Sequence, residues 1–165
     1  MKISVDILCV CPAWKQHRFI NKILIRKVSK TVLTVFAQLA HIKDFELSIL
    51  LTNNSEMLSL NSKFLDKPKA TNVLSFPDKE LDYRHLLELT KDLNYMYLGD
   101  IAFGYEIIYQ EAITQSKDFK NHFIHLLIHS ILHLIGFDHQ EDEEANIMED
   151  LEITILKKFN IASPY

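Results

Sequence analysis

Cysteine, glycine and proline are scarce in this chain. Two cysteines, three glycines and four prolines among 165 residues exclude a disulfide-stapled scaffold, a collagen-like repeat and a low-complexity tract. No apolar run approaches the roughly 18 uninterrupted residues that a membrane span needs. The most hydrophobic stretch, Phe123 to Phe137, is broken by histidines and a serine. The start, MKISVDILCVCPAW, carries Asp6 inside what would be the apolar part of a signal peptide, and it alternates like a strand. No membrane partner and a cytoplasmic location are therefore expected. Cys9 and Cys11 stand at strand spacing on one face, poor geometry for a mutual bridge, so both are expected as buried free thiols.

With 48% hydrophobic and 24% charged residues, the composition fits one globular domain over residues 1–165. The net charge of −4 hides an asymmetry. Residues 1–70 hold 11 Lys+Arg against 5 Asp+Glu, whereas residues 71–165 hold 7 against 17. A basic half of this kind suits a polyanion as well as a solvated helix face.

Ile3 to Val10 alternates as a strand that Cys11-Pro12 ends. From His17 to Ala40, Ile20, Leu24, Val28, Val32, Val35 and Leu39 recur at helical spacing. Further strands are predicted at Phe45–Leu51, Asn72–Phe76 and Tyr97–Phe103, with a short helix at Ser55–Phe64 capped by Asn53 or Asn54. A charged, partly helical excursion is expected over residues 78–94. Helices follow at Tyr105–Lys117, Phe119–Ile135 and Glu141–Phe159. Four early strands bracketed by helices predict an α+β or mixed α/β domain.

Five of the eight histidines fall between residues 122 and 139. On a helix turning about 100° per residue, His122, His125, His129 and His133 form one stripe about 80° wide. Apolar residues surround it, so the helix must be largely buried, and buried imidazoles need partners. His129 and His133 stand one turn apart, Gly136 lets the chain turn back, and His139 follows three residues later. The pattern H-x-x-x-H-x-x-G-x-x-H offers three neutral nitrogens to one ion and leaves positions for water or substrate, the layout of a catalytic metal site. One Zn2+ per chain is expected, on the buried helix and the following turn. His125 reads as an outer partner or a polar filler, and His122 as solvated. Asp100 and Asp138 are expected to support the site from outside. In metzincin proteases the same spacing carries a Glu beside the first His as general base; here that residue is Ser130, which makes a peptidase the second choice.

The stretch HSILHLIGFDH, residues 129–139, resembles the H-G-x-L-H-L-x-G-Y-D-H signature of the YbeY family, bacterial endoribonucleases of ribosomal RNA maturation. TNVLSFP at Thr71–Pro77, LGDI at Leu98–Ile101 and the acidic EDEEANIMEDLE after His139 agree with that family. The resemblance implies an α+β fold with a short mixed four-stranded sheet packed with helices, and zinc held by His129, His133 and His139 as metal-binding and catalytic residues. It also implies cleavage of single-stranded RNA, in maturation of the 16S rRNA 3′ end and in ribosome assembly or quality control. Ribosomal RNA and small-subunit components would be the partners. Ser130 stands where the family usually has Gly, and Leu65 where relatives commonly show an Arg thought to touch the scissile phosphate; Lys67 or Lys69 is the expected substitute. RNA is expected along Arg18, Lys22, Arg26, Lys63, Lys67 and Lys69. A metallopeptidase-like hydrolase and a noncatalytic, metal-stabilised assembly factor are the alternatives.

Overall fold

The computed structural model describes residues 1–65, 68–139 and 141–165, with Leu65 described by its backbone alone. Strands β1 (Lys2–Cys9), β2 (Asp44–Thr52), β3 (Val73–Pro77) and β4 (Tyr95–Gly104) form one sheet in the order β1-β2-β4-β3. β1, β2 and β4 run parallel, and β3 pairs antiparallel with β4. Helices α1 (Lys22–Leu33), α2 (Asn54–Leu65), α3 (Leu86–Thr90), α4 (Tyr105–Thr114), α5 (Phe119–Leu134) and α6 (Asp142–Lys157) complete an α+β fold with a mixed sheet, as the resemblance implies. Among the described residues no helix is long and apolar enough to cross a membrane.

The alternation of β2 explains the layering. Phe45, Leu47, Ile49 and Leu51 are buried, and they join Val28 and Val32 of α1 and Phe123, Leu127 and Ile131 of α5 in the main core. On the reverse face a small cluster of Met57, Leu74 and Ala102 sits under α2. α5 is apolar on nearly every side, and its ten buried positions mark a central helix whose stability comes from packing, not from propensity. Asp118 caps it by accepting the Asn121 N–H at 2.9 Å.

Two local expectations are corrected, and the partly helical excursion is found as expected. The helix predicted from His17 to Ala40 spans only Lys22–Leu33, because the Asn21 side chain accepts the N–H groups of Ile23 and Leu24 at 3.0 and 3.1 Å and fixes the start there. Of the apolar residues outside it, Ile20 and Val35 lie in single turns closed by N–H bonds to the His17 and Val32 carbonyls at 2.9 and 3.0 Å, and Leu39 lies in a 3-10 turn at Ala37–Leu39; such three-residue turns share the spacing of a helix without its length. Cys11 is buried but Cys9 is exposed, since the strand ends between them and the two side chains no longer share a face. The excursion contains a 3-10 turn at Tyr83–His85 leading into α3.

Candidate metal centre

The buried helix α5 carries the histidine stripe towards α6 at one end and into an open cleft at the other. At its C-terminus Gly136 adopts φ +93°, and its N–H returns to the His133 carbonyl at 3.0 Å while Phe137 N–H reaches the Leu132 carbonyl at 3.1 Å. This turn reverses the chain so that His139 meets His129 and His133. One ring nitrogen from each of the three lies within 4.8 Å of the others.

Hydrogen bonds fix which nitrogens face inward. Nδ1 of His129 donates to Glu152 Oε1 at 2.8 Å, because a carboxylate only accepts. Nδ1 of His133 donates to the Phe137 carbonyl at 2.9 Å. Both Nε2 atoms are thereby left as lone pairs, and they face each other at 3.1 Å. Two such lone pairs repel unless a cation lies between them. Burial, and next the neighbouring His129 and His139, hold the His133 pKa down at about 4, so His133 itself carries no proton on Nε2 near neutrality. The donor set fits a borderline divalent metal, and His129, His133 and His139 could hold one.

Behind the ligands stands a carboxylate whose role the sequence reading did not assign. Glu152 of α6 is 1% exposed and accepts from His129, from His125 Nε2 at 2.7 Å and from Tyr165 Oη at 2.5 Å. Burial raises its pKa, but the hydrogen bonds from His125 and His129 outweigh that and leave it at about 2. An ionised carboxylate here orients the His129 ring and makes it a better ligand. A sequence signal existed: Met148, Glu152 and Ile155 share one apolar stripe of α6, and a carboxylate on such a stripe needs a buried partner. His125 is thus the outer partner expected of it.

His122 is a correction. It is buried rather than solvated, bonding Glu111 at 2.8 Å, and Glu111 in turn accepts from Asn72. Asp138 steadies His139 through the backbone, its Oδ1 accepting the His139 N–H at 2.8 Å. Asp100 is not brought to the site: it is exposed on β4 opposite Phe76 and does not line the cleft. Ser130, beside the first ligand, is fully buried and its hydroxyl has no partner, so it points away from the cleft.

The cleft in front of the imidazoles has a volume of about 940 Å³ and is walled by Asn61 and Thr71–Ser75 on one side and by residues 79–84 on the other. None of Arg18, Lys22, Arg26, Lys63 or Lys69 lines it; Lys22 pairs instead with Asp6 at 3.2 Å. The Lys69 carbonyl does hold the cleft-lining Asn61 side chain at 2.6 Å. Lys67 and the Leu65 side chain, on which the missing Arg was to be judged, lie outside the described residues.

An α+β fold whose central helix and following turn converge three imidazoles at the floor of an open cleft defines a protein with a candidate histidine metal centre. The model of the family Endoribonuclease YbeY matches residues 13–160. A curated relative, Endoribonuclease YbeY of Colwellia psychrerythraea (strain 34H), is 46% identical over 123 residues, which are 74% of this chain and 74% of the relative. The chain belongs to the YbeY family. The solution structure of TM1509 from Thermotoga maritima shares the fold, with a TM-score of 0.53 at 20% identity over 94% of this chain and 91% of that one.

Proposed function

We propose that this chain is a zinc-dependent endoribonuclease specific for single-stranded RNA, acting in the cytoplasm on ribosomal RNA, with the 16S rRNA 3′ end and small-subunit assembly as its setting. In this reading residues 1–165 form one functional domain, and His129, His133 and His139 are the ligands and catalytic residues. Family membership supports RNA as substrate. The observation that carries the metal is the convergence of one ring nitrogen from each of the three histidines within 4.8 Å, with the Nε2 atoms of His129 and His133 3.1 Å apart and each ring held through its Nδ1 by an acceptor.

An ion held there supplies a Lewis acid for a phosphoryl oxygen. The chain's own groups do the rest. Glu152 keeps the Nδ1 proton on His129 and its Nε2 lone pair aimed inward, and the Phe137 carbonyl does the same for His133. Thr71 and Ser75 on the cleft wall offer hydrogen bonds to a sugar-phosphate strand. RNA brings its own nucleophile, the 2′-hydroxyl, so this site asks less of a protein base than an amide would. Ser130 supplies none, being buried and turned inward, which argues against the peptidase alternative.

The test is cleavage of single-stranded RNA by zinc-loaded protein beside His133→Ala from the same purification, with casein as a second substrate. RNA cut by the parent alone and casein left intact support the reading. Equal cutting by His133→Ala would remove the site from catalysis and leave the noncatalytic assembly factor as the better account.

A further inference from the structure

Among the described residues the cleft is lined by four carboxylates, Glu80, Asp82, Asp138 and Glu144, and by two cationic side chains, Lys79 and Arg84. A polyanion entering it meets an excess of negative charge, which a divalent ion at the imidazoles would only balance. Any cation in the wall that is free to turn to a phosphate therefore has a large influence on binding.

Arg84 is built into that wall. Its segment is fastened to the turn that carries His139. A Cβ on Gly136 would lie 2.3 Å from the Leu81 carbonyl oxygen, so the two backbones touch. The Tyr83 N–H donates to the Gly136 carbonyl at 3.4 Å, and the Tyr83 ring stacks on Phe137 at 4.1 Å and 16°. Wall and ligand turn form one unit.

The guanidinium itself is only half used. Its side edge, Nε and Nη2, grips both oxygens of Asp82 at 2.8 to 3.1 Å. Its end edge, Nη1 with the second Nη2 hydrogen, has among the described residues one ionic neighbour, Glu144, at a loose 3.8 Å. The side chain is 59% exposed. Asp82 thus fixes the orientation of the fork while leaving a complete two-donor edge available, and that edge matches a phosphate.

We infer that Arg84 is the phosphate-binding residue of this cleft, receiving a backbone phosphate of single-stranded RNA on its end edge in exchange for the long contact to Glu144. The assignment rests on the RNA reading given above. A residue that merely stapled the excursion to α6 would hold the same contacts, but an exposed pair of this kind contributes little to stability and nothing to the salt dependence of RNA binding.

The experiment uses full-length, zinc-loaded protein and a short 2′-O-methyl single-stranded RNA, which binds without being cut, titrated across a range of salt. For Arg84→Gln we expect affinity to fall about tenfold, as for loss of one charge-assisted pair. The slope of log K against log salt should shrink by about 0.7, the share of one phosphate on a single strand. Arg84→Lys should restore the slope but not the full affinity, since an ammonium keeps the charge and loses the fork. Zinc content and thermal midpoint should match the parent in both variants. Arg84→Gln binding with the parent's affinity and slope overturns the assignment. A parent that fails to bind the oligonucleotide at low salt overturns the RNA reading itself, so the two failures are distinct.

Discussion

Replacing Glu152 by Gln changes two atoms' chemistry and almost no volume, which isolates what the buried carboxylate does. In the parent it accepts from three donors at 2.5 to 2.8 Å. A Gln offers one acceptor oxygen, and with that oxygen kept by His125 and Tyr165 its NH2 faces the His129 Nδ1–H. His129 escapes that conflict by moving its proton to Nε2, where it blocks the ligand lone pair. The downward displacement of the Glu152 pKa, from 4.5 to about 2, corresponds to about 3 kcal/mol favouring the charged form. Much of that is lost in the variant, so stability should drop by roughly 2–3 kcal/mol and the thermal midpoint by about 5–10 °C. Metal affinity should fall ~10–100-fold, the usual effect of removing a carboxylate behind a ligand imidazole. Chelator competition gives the affinity, a thermal melt gives the stability, and nitrogen-15 spectra of the imidazoles give the tautomer. Glu152→Gln protein that binds zinc as tightly as the parent, with Nδ1 of His129 still protonated, would refute the reasoning.

Gly136→Ala should loosen the cleft: its φ of +93° and the 2.3 Å approach to Leu81 O leave no room for a Cβ, so a cost of several kcal/mol, ~2 or more, is expected from strain and clash, read as a lower thermal midpoint. Metal-free protein should lose stability as pH falls. His133 titrates at about 4 when folded against 6.5 ordinarily, so the folded chain binds fewer protons between those values. Up to ~3 kcal/mol disappears on going from pH 6.5 to 4, and Glu152 extends the same trend between 4.5 and about 2. Denaturant midpoints that stay level from pH 7 to 5 would contradict this. Leu127→Ala, in the middle of α5 and fully buried, should cost about 2–5 kcal/mol, measurable by denaturant unfolding.

What could be read from the residues was whatever obeys a local period. The strands of the sheet, the apolar helix and the H-x-x-x-H-x-x-G-x-x-H spacing follow from alternation, helical spacing and one turn-forming glycine, and the structure places His129, His133 and His139 together accordingly. Contacts between distant segments were harder. His122 sits near a helix start, which suggests solvent, yet Glu111 from the preceding helix covers it. Arg84 belongs to a charged excursion with no period of its own, and only the approach of Leu81 to Gly136 shows that this loop is a wall of the cleft. Asp100 reads as a site carboxylate because it stands in a motif, but it follows the register shift at Gly99 and lies exposed on β4, away from the cleft lining. Tyr165 reaches Glu152 across a turn after α6 that no spacing argument connects.

The central claim is that a single ion held by three imidazoles makes this chain a ribonuclease, and a stoichiometric refilling experiment tests it most directly. Metal-free protein is titrated with zinc while the initial rate of single-stranded RNA cleavage is followed at each addition. The account predicts no cutting without metal, a rate that rises in proportion to added zinc and a break at one ion per chain, with His129→Ala flat throughout. Cleavage by the metal-free protein at the refilled rate, or a His129→Ala titration that follows the parent's, would contradict it.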